Sequence, residues 1–284
     1  MSLPAFSPGA DPGPSFNELM SRSGQRPPLP GSSGEPFTHT HATTIVAVRY
    51  NDGVVMAGDR RATAGNVIAH RTMDKVFPAD RFSGVSISGV AGLAAEMVKM
   101  FQLELEHFEK VEGTALSLEG KANRLGNMIR QNLPSAMASG MVVIPIFAGY
   151  DTRRREGRIY NYDITGGRYE EMEFHATGSG GIYARGVLKQ HWNRGMTRDE
   201  AVDLCLSSLF EAADEDSATG GPDAIRGIYP SVATITADGY DRIEDGEVAR
   251  RFETLLAIRA ARLGISAPTV ADPTTPAPKG GRRK

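Results

Sequence analysis

The chain holds 284 residues with a formal net charge of −2, 40% hydrophobic and 23% charged side chains, and a single cysteine. One cysteine excludes an intrachain disulfide scaffold, and a near-zero net charge argues against a nucleic-acid or anionic-membrane binder. No apolar run reaches the ~18–20 residues of a membrane-spanning helix; the longest, Met141–Gly149, is strand-sized and interrupted by Pro145.

The prolines are unevenly placed. Eight of the 17 lie in residues 1–42, four in the last 17 residues and only five between, and Pro, Gly and Ser make up 20 of the first 42 positions. Such a segment cannot bury enough apolar surface to offset its ordering entropy, so residues 1–42 are expected to be a disordered leader. It is no signal peptide, having neither a basic start nor an apolar stretch of ~7–15 residues. By itself a Pro-rich terminus fits an idle tail as well as a removable leader.

Order is expected from Thr43. Thr44–Tyr50 and Val54–Gly58 are short β-rich runs joined by Asn51-Asp52-Gly53, a hairpin signal. A strand at Phe82–Ser88 precedes a helix in which Ala94, Met97, Val98, Phe101, Leu105 and Phe108 recur at helical spacing. A second helix, about Ser117–Met137, places Leu118, Ala122, Leu125, Ile129 and Leu133 on one face, and Pro134 should kink or end it. Strands return at Val142–Tyr150, Arg158–Asp163, Arg168–Glu171 and Glu173–Thr177, with Arg153-Arg154-Arg155 read as a solvated hairpin tip.

A third helix follows Gly180-Gly181, and a fourth opens on the capping box Thr197-Arg-Asp-Glu200. Cys205 falls at an apolar position of that helix, as an ordinary buried thiol in a reducing compartment would. Ser231–Ala237 reads as a strand and Glu247–Leu263 as a last amphipathic helix, followed by a Pro-rich tail from 266 to 284. Strands and helices come in blocks, so sheets packed on each other with helices outside fit better than a doubly wound parallel sheet. One domain, residues 43–265, is expected.

Most candidates for chemistry fail on spacing. His39 and His41 have no Cys or carboxylate cluster beside them, and His107, His175 and His191 are scattered, so no metal site is expected. There is no Gly-x-Ser-x-Gly elbow and no phosphate-binding Gly-Lys-Ser/Thr, and Gly178-Ser179-Gly180-Gly181 alone is a weak signal. Thr43 stands where the leader meets the first strand. Cleavage before it would free an α-amine with a pKa of about 7.7–8.0, placing a general base on the nucleophile's own backbone. Read alone, Thr-Thr-Ile-Val is equally an ordinary strand start.

Read together, the motifs are more specific. Thr43-Thr-Ile-Val-Ala, Gly53-Val-Val-Met-Ala-Gly-Asp59-Arg-Arg61-Ala-Thr63, Gly65-Asn66 and Lys75-Val76 resemble the start of 20S proteasome β subunits. Gly178-Ser179-Gly180 and Asp216-Ser-Ala-Thr219-Gly-Gly-Pro-Asp223 resemble the actinobacterial branch of that family. The similarity runs from Thr43 to about Leu263. It implies the α+β, four-layer αββα sandwich of N-terminal-nucleophile hydrolases.

The resemblance implies roles residue by residue. Thr43 matches the nucleophile, Asp59 and Lys75 the acid and base beside it, and Gly89 the backbone N–H of the oxyanion hole. Ser179, Asp216 and Thr219 match the supporting hydrogen-bond network, Thr219 standing where many relatives have Ser. Ala62, Met73, Phe77, Ile87, Ala91 and Ala95 match the first specificity pocket. None is charged, so cleavage after apolar or aromatic residues is expected. Thr63 and Ala91 match backbone positions that pair with an extended substrate. The chain departs from the family at Ala42, where Gly usually precedes the nucleophile. Self-cleavage needs a tight, strained backbone there, which Gly adopts most cheaply, so slower processing is expected.

The resemblance further implies a cytoplasmic barrel of four seven-membered rings, two outer rings of α subunits and two inner rings of β subunits. A ring ATPase would feed it unfolded, Pup-tagged proteins through the α rings, with no cofactor, no metal, no nucleic acid and no membrane involved. Three rivals stand beside this reading. The bacterial HslV peptidase shares the Thr-Thr start but is shorter and carries Asp-Gly-Gln at the position of Asp59-Arg60-Arg61. A non-catalytic ring subunit would typically lose the Thr or the Lys, and both are present. A small-molecule amidase built on an N-terminal nucleophile would be separated by assays on unfolded protein against small amides.

Overall fold

A computed structural model describes residues 43–139 and 141–265. The leader, Ala42, His39, His41 and the tail from 266 lie outside the described residues. Two five-stranded antiparallel sheets stack face to face. The first has the order β10-β1-β2-β11-β12, built from β1 (Thr44–Tyr50), β2 (Gly53–Gly58), β10 (Phe174–Gly178), β11 (Ser231–Thr236) and β12 (Gly239–Arg242). The second has the order β5-β6-β7-β8-β9, built from β5 (Val76–Asp80), β6 (Ser83–Gly89), β7 (Val143–Asp151), β8 (Glu156–Tyr162) and β9 (Arg168–Glu171). A separate ribbon pairs β3 (Ala62–Ala64) with β4 (Val67–His70).

Alternation along each strand sends neighbouring residues to opposite faces. Ile45, Ala47, Val54, Met56, Ile146, Ala148, Ile159, Ala233 and Ile235 form the layer between the sheets. On β1 and β2 the intervening Val46, Val48, Val55 and Ala57 face a core made with α3 (Gly181–His191), α4 (Arg198–Glu215) and α5 (Asp245–Leu263). Val85, Ile87, Phe147 and Tyr160 of the second sheet meet α1 (Ala91–Glu112) and α2 (Leu118–Ser139). The layers therefore run helix, sheet, sheet, helix, an α+β sandwich. The central strands are covered on both faces, which is why Ile45–Val48 reads as an unbroken apolar run.

Where the sequence reading and the structure differ, short or polar elements are responsible. β3, β4, β5 and β12 escape the periodicity argument. The β3–β4 ribbon is largely exposed, β5 carries Pro78 on a sheet edge, and β12 is the polar edge strand Gly-Tyr-Asp-Arg. Pro134 does not end the second helix, which continues to Ser139. It lies on the exposed side five residues before the end, where the missing N–H orphans no buried partner. The capping box is formed in both directions: Thr197 N–H donates to Glu200 Oε2 at 2.8 Å and Glu200 N–H to Thr197 Oγ1 at 3.3 Å. The three arginines 153–155 lie exposed in the β7–β8 turn. Cys205 is a buried free thiol whose pKa burial pushes far up, which leaves it unreactive. No helix among the described residues is long and apolar enough to cross a membrane.

Candidate active site

Thr43 lies directly before β1 and is 95% buried, its accessibility being only 5%. Its carbonyl accepts the Ser179 N–H at 3.0 Å. That approach depends on Gly178, which closes β10 with φ +101°, because a Cβ there would overlap the Thr43 carbonyl oxygen. The start of β1 is thereby locked against the loop that leads into α3.

The next peptide unit joins Thr43 to a buried ion pair. Asp59, just past the end of β2, is fully buried and accepts four hydrogen bonds. Its Oδ1 receives Thr44 N–H at 2.8 Å and Lys75 Nζ at 2.6 Å. Its Oδ2 receives Arg61 N–H at 2.9 Å and Gly220 N–H at 2.8 Å. Lys75 is 1% exposed and donates a second bond, also 2.6 Å, to the Arg61 carbonyl. A buried ion pair survives only when the remaining lone pairs and protons are satisfied, and backbone groups from two loops do that here. Burial drives the Lys75 pKa down, Asp59 opposes the shift through its charge and hydrogen bond, and the Arg61 charge adds to it. The result is a cation held one residue from the Thr43 backbone with less than the usual hold on its proton.

A second polar chain adjoins the first. Ser179 Oγ and Thr219 Oγ1 both donate to Asp216 Oδ2, at 2.5 and 2.6 Å. Thr219 Oγ1 also lies 2.6 Å from Thr44 Oγ1, which accepts the Gly180 N–H at 2.9 Å. Burial works against ionisation of Asp216, but the two hydroxyls with the Ala218 and Thr219 N–H groups outweigh it and hold its carboxyl below the ordinary range. Ser179, Asp216 and Thr219 are thus brought together, and they reach the start of β1 through the Thr44 hydroxyl and through the Ser179 N–H on the Thr43 carbonyl.

Gly89 ends β6 with φ +115°, where a Cβ would overlap the Val142 carbonyl oxygen. Val90 then serves as the N-cap of α1, whose first turn carries no acidic residue. The unpaired N–H groups of that turn make this end attractive to negative charge. Ala91 opens α1 and Ala95 lies half-buried within it. Ile87 is buried in the helix-facing core and its N–H donates to the Lys75 carbonyl at 2.9 Å. Phe77 packs on the same core, and Met73 N–H donates to the Arg60 carbonyl at 3.0 Å. Ala62 and Thr63 lie on β3, opposite His70 and Ile68 of β4.

Sequence reasoning missed Thr44, Arg61, Gly180 and Gly220. Thr44 could have been suspected from the doubled threonine. The two glycines stood in the motifs that carry the resemblance, but their part shows only in the fold, where a Cβ on Gly180 would come within 2.6 Å of Thr44 Oγ1 and one on Gly220 within 2.7 Å of the Arg61 Cβ.

A family model described as proteasome subunit matches residues 39–226. The proteasome subunit beta of Acidimicrobium ferrooxidans is 56% identical over 266 residues, covering 92% of this chain and 97% of its own. The proteasome subunit beta of Streptomyces griseus is 54% identical over 239 residues, covering 84% of this chain and 83% of its own.

Proposed function

The chain belongs to the proteasome subunit family, in its actinobacterial β-subunit branch, and on that premise we propose that it is a catalytic threonine endopeptidase made as a zymogen. In this reading Thr43 Oγ1 first attacks the carbonyl of residue 42. Collapse of the adduct breaks the 42–43 amide bond and frees the Thr43 amine, leaving residue 42 as an ester. Water hydrolyses that ester to release the leader and free the Thr43 hydroxyl. The amine then takes the proton of Thr43 Oγ1 as the hydroxyl attacks a substrate carbonyl. The acyl-enzyme forms as the amine leaving group departs protonated, and water releases the second product. Lys75 favours the developing alkoxide electrostatically and lowers the proton affinity of the amine, while Asp59 fixes the ammonium. The Gly89 N–H, beside the α1 N-terminus, meets the oxyanion. Asp216, Ser179 and Thr219 steady the first residues of β1.

Ala62, Met73, Phe77, Ile87, Ala91 and Ala95 form the wall that meets the residue before the scissile bond, favouring apolar and aromatic side chains. Thr63 and Ala91 pair with the substrate backbone. The working unit is the cytoplasmic four-ring barrel with α subunits, fed with Pup-tagged, unfolded proteins by a ring ATPase.

One observation carries the catalytic reading. A buried, doubly hydrogen-bonded Lys75–Asp59 pair shares a carboxylate oxygen with the N–H of Thr44, the residue bonded to Thr43. A subunit kept only for its shape has no need of a buried cation there. The test is the N-terminal sequence of the assembled particle together with the Thr43→Ala variant. We expect a start at Thr43, and loss of both peptidase activity and leader removal in the variant. A particle that keeps residues 1–42, or a Thr43→Ala variant that cleaves peptides at the wild-type rate, overturns the reading.

A further inference from the structure

Lys75 reaches Asp59 from an irregular segment, residues 71–75, that links β4 to β5. Two backbone bonds hold that segment, Met73 N–H to the Arg60 carbonyl and Ile87 N–H to the Lys75 carbonyl, and side chains hold the rest. The most heavily engaged of them is Asp74. Its Oδ1 accepts from Ser231 Oγ at 2.6 Å and Arg242 Nη2 at 3.0 Å, and its Oδ2 from Arg242 Nη1 at 3.1 Å. Arg60 Nη2 lies 3.4 Å from the same Oδ1 and donates to the Thr72 carbonyl at 3.2 Å. The Arg60 side chain is only 14% exposed, and its other terminal nitrogen meets Asp245 Oδ2 at 3.3 Å.

These partners are not arbitrary. Ser231 is the β11 residue paired with Gly58, the last residue of β2 before Asp59. Arg60 is the residue immediately after Asp59. Two neighbouring pairs of opposite polarity therefore cross the same gap: Asp59 with Lys75 in the interior, and Arg60 with Asp74 nearer the surface. The fork of Arg242, at the end of the edge strand β12, grips Asp74 with both nitrogens. Burial resists ionisation of Asp74, yet the bonds from Arg242 and Ser231 keep its carboxyl below the ordinary range.

We infer that Asp74 is a positioning residue for the threonine site, its carboxylate clamping the segment that carries Lys75 to the strand that carries Asp59 and so fixing the ammonium beside the nucleophile. The inference rests on the catalytic reading of Thr43 and Lys75 given above. Asp74 touches no substrate and acts through Lys75. A small displacement of a catalytic group costs rate more than binding. A loosened ammonium also depresses the proton affinity of the Thr43 amine less.

The experiment uses particles assembled with α subunits and a fluorogenic peptide with an apolar residue before the scissile bond. Asp74→Asn keeps the shape and can still accept from Ser231, but loses the charge that holds Arg60 and Arg242. We expect kcat to fall roughly tenfold with KM unchanged within about twofold, and the ascending limb of the kcat–pH profile to move to higher pH. Arg242→Gln should move both readouts the same way, and the double variant should be little worse than Asp74→Asn alone. Wild-type kcat and pH limb accompanied only by a lower Tm, or a change confined to KM, overturns the inference. Should Asp74→Asn fail to assemble, Arg242→Gln carries the same two outcomes. Thr43→Ala runs alongside: if it is inactive while Asp74→Asn matches wild type, only the role of Asp74 falls. If it is active, the catalytic reading falls with it.

Discussion

Lys75 and Asp59 meet at 2.6 Å with side chains 2% and 0% exposed, so both charges are buried. Removing one partner leaves the other as a buried charge, which costs far more than the pair itself is worth. We expect Lys75→Ala to lose about 3–5 kcal/mol of stability, measured by urea titration of the unassembled chain, together with all peptidase activity of the assembled particle. The double change Lys75→Met with Asp59→Asn removes both charges and should recover much of the stability while remaining inactive. If it recovers activity as well, the pair is a folding device alone.

Thr219 links two hydroxyl networks, being within 2.6 Å of both Thr44 Oγ1 and Asp216 Oδ2. Thr219→Val keeps the volume, leaves the buried Thr44 hydroxyl without its partner there, and removes one of the two hydroxyls on Asp216 Oδ2. An unsatisfied buried polar group costs about 1–3 kcal/mol, so we expect a loss of that size and reduced activity. Thr219→Ser restores the hydroxyl and should stay close to wild type in both measurements. Equal loss in Ser and Val variants would mean that the methyl group of this fully buried residue matters as much as the hydrogen bonds.

The parts of this architecture legible in the sequence are those that physics repeats locally. The Thr197–Glu200 box, the apolar stripe from Ala94 to Leu105 and the doubly buried strands β1 and β2 each carry their own periodicity or cap. Thr43, Asp59 and Lys75 were legible only as an ordered set, through family resemblance. What stayed hidden is made by long-range contact. Gly220 finds Asp59 across 161 residues, and Thr44 finds Thr219 across 175. The strands β3, β4 and β5 carry Ala62, Thr63 and Phe77 but are too short and too polar, or too close to Pro78, to announce themselves. Pro134 misled because its helix face is exposed.

Ala42 precedes the proposed nucleophile at the position where the family resemblance implies Gly. Gly enters left-handed backbone conformations without the penalty of about 1–2 kcal/mol that a Cβ brings. We expect Ala42→Gly to speed leader removal by about five- to thirtyfold, followed as the appearance of a chain starting at Thr43 by intact mass after mixing with α subunits. The peptidase activity of the matured particle should not change, because residue 42 has then departed. An unchanged processing rate would mean that another step, such as assembly, sets the pace.

Asp216 gives the chain an acid-sensitive element whose sign follows from its surroundings. Its carboxyl is held below the ordinary carboxylate value against the effect of burial, by Ser179, Thr219 and two backbone N–H groups. The folded state therefore binds the proton less readily than the unfolded chain, in which the pKa is about 3.9. The resulting stability is fully present above that value and is lost as pH falls through the lower folded-state value. We expect the unfolding free energy of the unassembled chain to decline below about pH 4. Asp216→Asn should weaken that decline, since the variant has no proton to take up at this position. At neutral pH the same substitution should cost about 1.5–3 kcal/mol, the worth of hydrogen bonds to a charged group. Parallel acid limbs for wild type and Asp216→Asn would show that the hydroxyl network leaves this carboxylate unperturbed, and that the threonine end of β1 is steadied by backbone contacts such as Ser179 N–H to Thr43 instead.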